Sequence, residues 1–230
     1  MISDKYNIIY GIILIMLLAL SSIFLNSCSL ILRRVYIDPI FRENTDSMAV
    51  DFHNNYFDRH ITFGEYKTSF IAPAVTQNNT KSSGLTQIIH KEMQIRFSLL
   101  GKDNEISNVD LTYINEMSET NITKSIFIDK VNTDYCFGTM KINNSECSFS
   151  FFNPKSGKLS KVEANIVTCR NCSVELRKSS ENGNGFYFII NGEPAGAVDI
   201  LNQRVWIRHL LSKDVKFIVA NIATALLILN

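Results

Sequence analysis

The sequence predicts a mainly β fold (α+β) in which an antiparallel sheet is closed, or nearly closed, around an apolar C-terminal helix. Three observations predict this fold class. Residues Asp214–Leu229 are apolar on all faces of a helix, apolar and polar residues alternate from Met93 onward, and Asn191-Gly192 is typical of a tight hairpin. About ten strand-like runs precede the helix, and their short connections favour antiparallel pairing. A sheet that wraps the helix would bury the apolar surfaces of both.

The C-terminal segment has the start of a helix as well as its composition. Ser212 is expected as the N-cap, and Asp214 places a carboxylate in the first turn, where the helix dipole favours negative charge. At about 1.5 Å per residue the helix would be roughly 24 Å long. It has fewer than the about 20 residues that a helix needs to cross a bilayer. We interpret the segment as a buried core helix, and the alternative is a membrane tail anchor.

The first part of the chain after the N-terminal segment has few clear periods. Pro39 interrupts Val35–Asn55, and Asp46–Phe52 is a candidate short helix. Ile61–Ile71 has strand-forming composition, whereas Pro73–Gly84 is polar and typical of a linker or long loop.

A second region begins near residue 86 and is dominated by strand patterns. Met93, Ile95, Phe97 and Leu99 alternate with polar residues and so share one face of a strand. The further strand-like runs are 109–113, 125–129, 135–142, 146–152, 162–168, 172–176, 186–190, 197–201 and 205–209. We therefore predict three parts: 1–34 as signal peptide or membrane anchor, 35–85 as N-terminal extension and linker, and 86–230 as the β domain.

The N-terminal residues carry a membrane signal. A polar start containing Lys5 precedes the apolar run Ile8–Leu25, and the sequence Leu25-Asn26-Ser27-Cys28 follows. This arrangement resembles a bacterial lipoprotein signal. The resemblance implies that Cys28 is lipidated and becomes the first residue of the mature chain, with the domain in the cell envelope outside the cytoplasm.

The alternative is an uncleaved transmembrane helix. The apolar stretch extends from Ile8 to Leu32, which is long enough to span a bilayer. Arg33 and Arg34 follow it directly, and the positive-inside rule would then put the domain on the cytoplasmic face. Both interpretations tether the domain to a membrane through its N-terminus.

Four cysteines besides Cys28 lie in the predicted β domain. This even number suits two disulfides in an oxidising compartment, and the four are Cys136, Cys147, Cys169 and Cys172. Cys169 and Cys172 also have the spacing of a redox or metal half-site, although no second pair completes a zinc site. We expect structural disulfides or buried thiols and keep the redox and metal roles as alternatives.

The closing segments FYFIINGEPAGAVDI, RVWIRHLLS and DVKFIVANIATALLIL carry a second resemblance. In this order they resemble the end of tubby-like domains, the superfamily that includes phospholipid scramblases and LURP-one-related proteins. The resemblance covers Gln94–Asn230 in pattern and Phe186–Leu229 in residues. It implies a twelve-stranded barrel threaded by the C-terminal helix, no catalysis and, in some members, binding to phosphoinositides or membranes.

Few residues of the sequence are candidates for chemistry. The densest polar group surrounds His53 and His60 with Asp51 and Asp58, and we expect a solvated loop there, with a metal or acid–base role as the alternative. No hydrolase elbow, phosphate-binding loop or dinucleotide fingerprint occurs, so no catalytic, cofactor or metal residue is assigned.

Three lysines, Lys155, Lys158 and Lys161, gather on one loop. They could contact anionic lipid head groups, each contributing about 1 kcal/mol, unless the loop is an ordinary solvated turn.

These observations predict a membrane-anchored, non-catalytic binding or structural module. The first alternative is an envelope lipoprotein whose β domain binds another protein in a surface or secretion assembly, and the second is a hydrolase or redox enzyme. The expected partners are the membrane, reached through the N-terminus, and an anionic lipid or a protein. A net charge of +1 gives no general attraction for nucleic acid.

Overall fold

The computed structural model describes residues 37–55, 58–72, 75–83, 86–102, 104–121, 128–142, 145–152, 166–170, 172–179 and 185–229. These residues form two helices and fourteen strands. The helices are α1 (Pro39–Glu43) and α2 (Lys213–Leu229). The strands are β1 (Thr45–Ala49), β2 (Asp51–Asn55), β3 (Asp58–Phe63), β4 (Tyr66–Ile71), β5 (Val75–Ser83), β6 (Thr86–Leu100), β7 (Ile106–Asn121), β8 (Ile128–Ile142), β9 (Ser145–Phe152), β10 (Ile166–Thr168), β11 (Ser173–Lys178), β12 (Gly185–Ile190), β13 (Glu193–Asp199) and β14 (Arg204–Arg208).

The strands of the described residues form one antiparallel sheet that is nearly closed into a barrel. Its order is β1-β14-β13-β12-β11-β10-β9-β8-β7-β6-β4-β3-β2, and β5 also pairs with β6. The two ends of this order, β1 and β2, are separated in the chain only by Val50, whose N–H donates to the Gln203 carbonyl oxygen at 2.8 Å. Because the chain itself joins the two edges, β1 and β2 bring the sheet around to its starting point.

The longest strands extend beyond the barrel core. One half of β6 pairs with β4 between Phe97 and Leu100, and the other half pairs with β5 from Thr86 to Gln94. Buried residues in β6 begin only at Ile95, and β5 is exposed along 75–82. Thus β5 and the adjoining half of β6 continue the sheet outside the core.

Helix α2 fills the barrel, which confirms the predicted fold class and the buried core helix. Twelve of its residues are buried: Phe217, Ile218, Val219, Ala220, Asn221, Ile222, Ala223, Thr224, Ala225, Leu226, Leu227 and Leu229. The walls approach it closely from several strands. The Phe217 ring lies 6.3 Å from the Tyr66 ring, and Ser107 Oγ donates to Asn221 Oδ1. Among the described residues, no helix combines the length and the apolarity needed to cross a membrane.

The start of α2 also matches its sequence signal. The Lys216 N–H donates to the Ser212 carbonyl oxygen at 3.0 Å, and the Val215 N–H lies 3.5 Å from Ser212 Oγ. Ser212 therefore occupies the N-cap position, as its sequence position predicts.

The segment between residues 37 and 83 contains more β-strand than its sequence predicts. Residues Asp46–Phe52 lie in β1, the Val50 link and β2, so the candidate short helix does not form. Most of the polar stretch Pro73–Gly84, considered a linker or loop, is strand β5. Residues 45–71, placed by the sequence in an extension before the β domain, supply four strands to the same sheet. Strand pairing decides these cases, since the local pattern carries little periodicity. β1 pairs with the distant β14, whereas β2 and β5 each pair with the next strand in the chain.

The predicted hairpin at Asn191-Gly192 is confirmed. Both residues have positive φ, 52° and 81°, and they connect β12 to β13. Such angles are those of a type I′ turn, which suits the right-handed twist of the flanking strands. Asn143 and Asn144, between the predicted runs 135–142 and 146–152, lie outside the described residues, although β8 and β9 pair on either side of them.

Candidate functional site

Helix α1 is the first element of the described chain, and its sequence explains why it forms. The Asp38 carboxylate accepts a hydrogen bond from the Ile40 N–H at 2.8 Å and so caps the N-terminus. Pro39 follows at the start of the helix, where its lack of an N–H costs nothing. Pro39 was predicted only to interrupt Val35–Asn55, but after the capping Asp38 it begins a helix.

The helix packs on the outer face of the sheet, not inside the barrel. Phe41 is buried in a small cluster with Ala197 and Trp206, separate from the main core. Its ring meets the Tyr187 ring edge-on at 5.7 Å, and the Tyr187 hydroxyl lies 3.3 Å from the Asp38 backbone N–H. These contacts fix α1 against β12, β13 and β14.

A groove of about 550 Å³ runs between α1 and the sheet, and we call it the α1 groove. It is lined by Asp38, Ile40, Phe41, Asn44, Arg177, Tyr187, Ile189, Glu193, Pro194 and Arg208. The apolar residues and the tyrosine give it an apolar lining, and four charged residues stand among them. Ile40 is 74 % exposed, so one wall presents a large apolar side chain to solvent.

The charges of the α1 groove balance. Arg208 Nη1 lies 2.6 Å from Glu193 Oε2, and Arg177 Nη2 lies 3.1 Å from Glu175 Oε1. Of the lining residues, two are basic, Arg177 and Arg208, and two are acidic, Asp38 and Glu193. The groove thus offers apolar contact together with donors and acceptors of both signs.

The four cysteines of the β domain separate into a bridged pair and two thiols. A disulfide joins Cys147 to Cys169, whereas Cys136 and Cys172 are thiols. Burial in the core raises the pKa of Cys136 to about 12, so this thiol stays protonated at neutral pH. Cys172 is half-buried, and its burial also raises the pKa of its thiol.

A second cavity, of about 400 Å³, lies at the N-terminal end of α2, and we call it the cysteine cavity. It is lined by Ile142, Ser145, Cys147, Cys169, Arg170, Cys172, Ser212, Asp214, Val215 and Ile218. Three of the four predicted β-domain cysteines therefore meet at one place, although they come from two separate parts of the sequence. Cys136, buried in β8, is not among the residues lining this cavity.

The remaining predicted site residues fall outside the described residues or form simple pairs. Cys28 and the three lysines Lys155, Lys158 and Lys161 lie outside the described ranges, so their lipidation and lipid contact stay predictions. The His53 and His60 rings stack at 4.6 Å across β2 and β3, in strands and not in the expected loop. Within the described residues, no group of three or more His, Cys, Asp or Glu side chains is placed to hold a metal ion.

No protein-family model matches the chain, and neither the curated proteins nor the solved structures contain a significant match to it. The described fold defines a class by architecture: a nearly closed antiparallel β-barrel that encloses its C-terminal helix.

Proposed function

We propose that the chain is a membrane-anchored binding module, held at the bilayer by its N-terminal segment and presenting the α1 groove to a protein partner. The observation that carries the proposal is the position of this groove. Its wall α1 begins at Pro39, a few residues after the apolar stretch that ends at Leu32. At about 3.4 Å per extended residue, the connection to Pro39 reaches no more than roughly 40 Å from a lipidated Cys28, or roughly 25 Å from Leu32 if the helix is uncleaved, which keeps the groove near the membrane surface in both cases.

Because α2 occupies the interior of the barrel, a binding surface on the outside is favoured. Small β-barrels commonly hold a ligand inside, but here α2 takes up the interior. The outer wall is therefore where a partner can bind. The α1 groove combines an apolar lining with ordered polar groups.

Charge favours a protein segment over an anionic head group. A head-group site concentrates positive charge, whereas the basic Arg177 and Arg208 are matched by the acidic Asp38 and Glu193. An apolar lining with a polar, charge-balanced rim is instead typical of protein interfaces. The proposed lipid contact of Lys155, Lys158 and Lys161 is a separate hypothesis. Flotation of the protein on anionic vesicles, compared with a triple Lys→Gln variant, tests it.

We place the domain in the cell envelope, with Cys28 as the lipidated residue. The Cys147–Cys169 disulfide supports this assignment, because such bonds persist in oxidising compartments. Mass analysis of the mature N-terminus decides between the two anchors. An acylated Cys28 supports the lipoprotein, whereas an intact Met1 supports the uncleaved helix and a cytoplasmic domain.

Kinship with tubby-like domains is part of the same proposal. The apolar helix at the C-terminus of a β-barrel and the hairpin and strand that precede it support this kinship. In the tubby-like arrangement the barrel is a scaffold for binding, in line with the function proposed here.

Site-specific photo-crosslinking tests the groove. A photoreactive amino acid replaces Ile40 in the full-length, membrane-bound protein, and irradiation in cells is expected to give one discrete adduct. The matched control is Leu201, which is 45 % exposed. It follows the C-terminal end of β13, whereas Glu193 of the groove begins that strand. Arg208→Glu should lower the adduct yield several-fold, because it reverses charge on the groove rim. Equal adducts at both positions, or none at Ile40, would refute the groove as a partner site.

A further inference from the structure

The three cysteines of the cysteine cavity form a row across the sheet. Thr168 of β10 is paired with Ser148 of β9 on one side and with Ser173 of β11 on the other. One step further along the ladder, Cys169 stands between Cys147 and Cys172. The Cys169 N–H also donates to the Cys172 carbonyl oxygen at 2.8 Å, which closes the β10–β11 hairpin. Cys169 therefore has a cysteine as its neighbour on both sides.

The three side chains lie on the same face. Val167 and Val174, two positions away from Cys169 and Cys172, are fully buried, and residues two apart on a strand share a face. Cys147 is itself buried and bonded to Cys169. The Cα atoms of Cys147 and Cys169 are 4.2 Å apart, and the Cα atoms of a directly opposed antiparallel pair such as Cys169 and Cys172 are about 4.5–5.5 Å apart. The latter separation lies within the about 4.4–6.8 Å that a disulfide usually spans.

We propose that this row is a thiol–disulfide exchange site in which Cys169 can be bridged either to Cys147 or to Cys172. The row places Cys172 on the side of Cys169 opposite to Cys147. A thiol substituting at a disulfide sulfur approaches opposite the leaving sulfur, so the central position of Cys169 suits the reaction.

The step is balanced without an external oxidant. The Cys172 thiol first loses its proton to solvent, and the thiolate attacks Cys169 Sγ. The Cys169–Cys172 S–S bond forms while the Cys147–Cys169 bond breaks, and the electron pair leaves on Cys147 Sγ, which takes up a proton. One disulfide and one thiol are present before and after.

Protonation sets the rate of this exchange. The thiolate is the nucleophile, and burial raises the pKa of Cys172, so only a small fraction is reactive at neutral pH. The charged groups lining the same cavity are Arg170, from the hairpin, and Asp214, in the first turn of α2. The N-terminal end of α2 also faces the cavity and favours a thiolate. Below the pKa of Cys172, each unit of pH should raise the rate about tenfold.

The two linkages differ in what they hold together. The Cys147–Cys169 bond spans 22 residues of sequence and ties β9 to β10, which is only three residues long. The Cys169–Cys172 bond would close only the hairpin. Exchange therefore releases the covalent tie between β9 and β10, and this tie is the larger constraint on the unfolded chain.

Thiol mapping of the full-length protein in detergent tests the proposal. The protein is incubated without reductant at several pH values, quenched with acid, unfolded and labelled with a maleimide, and the labelled cysteines are identified by mass spectrometry. We expect label to appear at Cys147 with an equal loss at Cys172, at a rate that rises with pH and does not depend on protein concentration.

Three variants complete the test. Cys172→Ser should abolish labelling of Cys147, and Cys136→Ser, which removes the other thiol of the described residues, should leave the exchange unchanged. Cys147→Ser should be isolated with Cys169 bridged to Cys172. The proposal is overturned if Cys147 of the wild type stays unlabelled at every pH at which the circular dichroism spectrum is that of the folded protein. It is also overturned by equal labelling of Cys147 in Cys172→Ser, or by two free thiols at Cys169 and Cys172 in Cys147→Ser.

Discussion

Ser107 and Asn221 are polar residues in the most enclosed part of the barrel, and both are completely buried. Ser107 Oγ donates to Asn221 Oδ1, and Asn221 Nδ2 donates to the Phe217 carbonyl oxygen at 2.8 Å. The pair links strand β7 to α2 and leaves the asparagine amide satisfied. A polar pair of this kind fixes the rotation of the mainly apolar helix about its axis and its depth in the barrel, because any other position would bury unpaired polar groups.

Ser107→Ala is expected to lower the free energy of unfolding by about 1–3 kcal/mol, because the Asn221 carbonyl oxygen loses its donor inside the core. The measurement is equilibrium denaturant unfolding. The double variant Ser107→Ala/Asn221→Leu should recover part of the loss, since it removes both polar partners.

An equivalent pair on the surface provides the control. Ser98 Oγ lies 2.6 Å from Asn108 Oδ1 in an exposed setting on β6 and β7. Ser98→Ala should change stability by less than about 0.5 kcal/mol, because water replaces the lost bond. Equal losses for the two Ser→Ala variants would contradict the role assigned to the buried pair.

At the scale of the element, β13 depends on a glycine for its approach to α2. A Cβ on Gly196 would lie 2.7 Å from Val219 Cγ1 and 2.8 Å from the Trp206 carbonyl oxygen. The second atom belongs to the backbone of β14 and cannot rotate away. Gly196 therefore lets the strand lie closer to the helix than any other residue would allow.

Gly196→Ala is expected to destabilise the fold by about 1–3 kcal/mol through overpacking. The matched control is Gly192, which has a φ of +81° and open space around its Cα. Gly192→Asn should cost under about 1 kcal/mol, because asparagine tolerates this backbone region. Thermal unfolding, followed by circular dichroism, compares the stability of the two variants. An unchanged stability of Gly196→Ala would show that α2 is not held this close to β13.

The elements differ in how far their sequence predicts them. The turn at Asn191-Gly192 and helix α2 are predicted correctly, because positive φ and an all-round apolar composition are properties of the segments themselves. Strand β5 is missed because its exposed residues show no apolar alternation, and its conformation depends on pairing with β6. Local pattern contains no information about such a partner.

The candidate sites were less predictable for the same reason. The α1 groove combines Asp38–Asn44 with residues from 177 to 208, which no spacing rule connects. The sequence identifies Cys147 and Cys169 as disulfide candidates, but only the register of β9, β10 and β11 places them and Cys172 in one row. Sheet register is thus the information that a single sequence lacks.

For the whole molecule, the internal helix is the condition for stability. Truncation before Lys213 removes twelve buried residues and exposes the inner wall of the barrel to water. Burial at about 25 cal/mol per Å² then loses far more than the ~5–15 kcal/mol by which domains are stable. We expect the truncated chain to be insoluble and without a cooperative transition, whereas the chain from Ile37 to Asn230 should unfold in a single step. A soluble truncated chain with a sharp unfolding transition would contradict this.

The joining of the first strand to the last has a consequence for how the protein is made. Ser47 in β1 and Arg204 in β14 hydrogen-bond at 2.9 Å across 157 residues of sequence, and α2 follows only after β14. A nascent chain therefore cannot complete the barrel until α2 (Lys213–Leu229) has been synthesised. Until then the strands that line the interior lack the helix that covers them, so the filled barrel forms only after these residues have been translated.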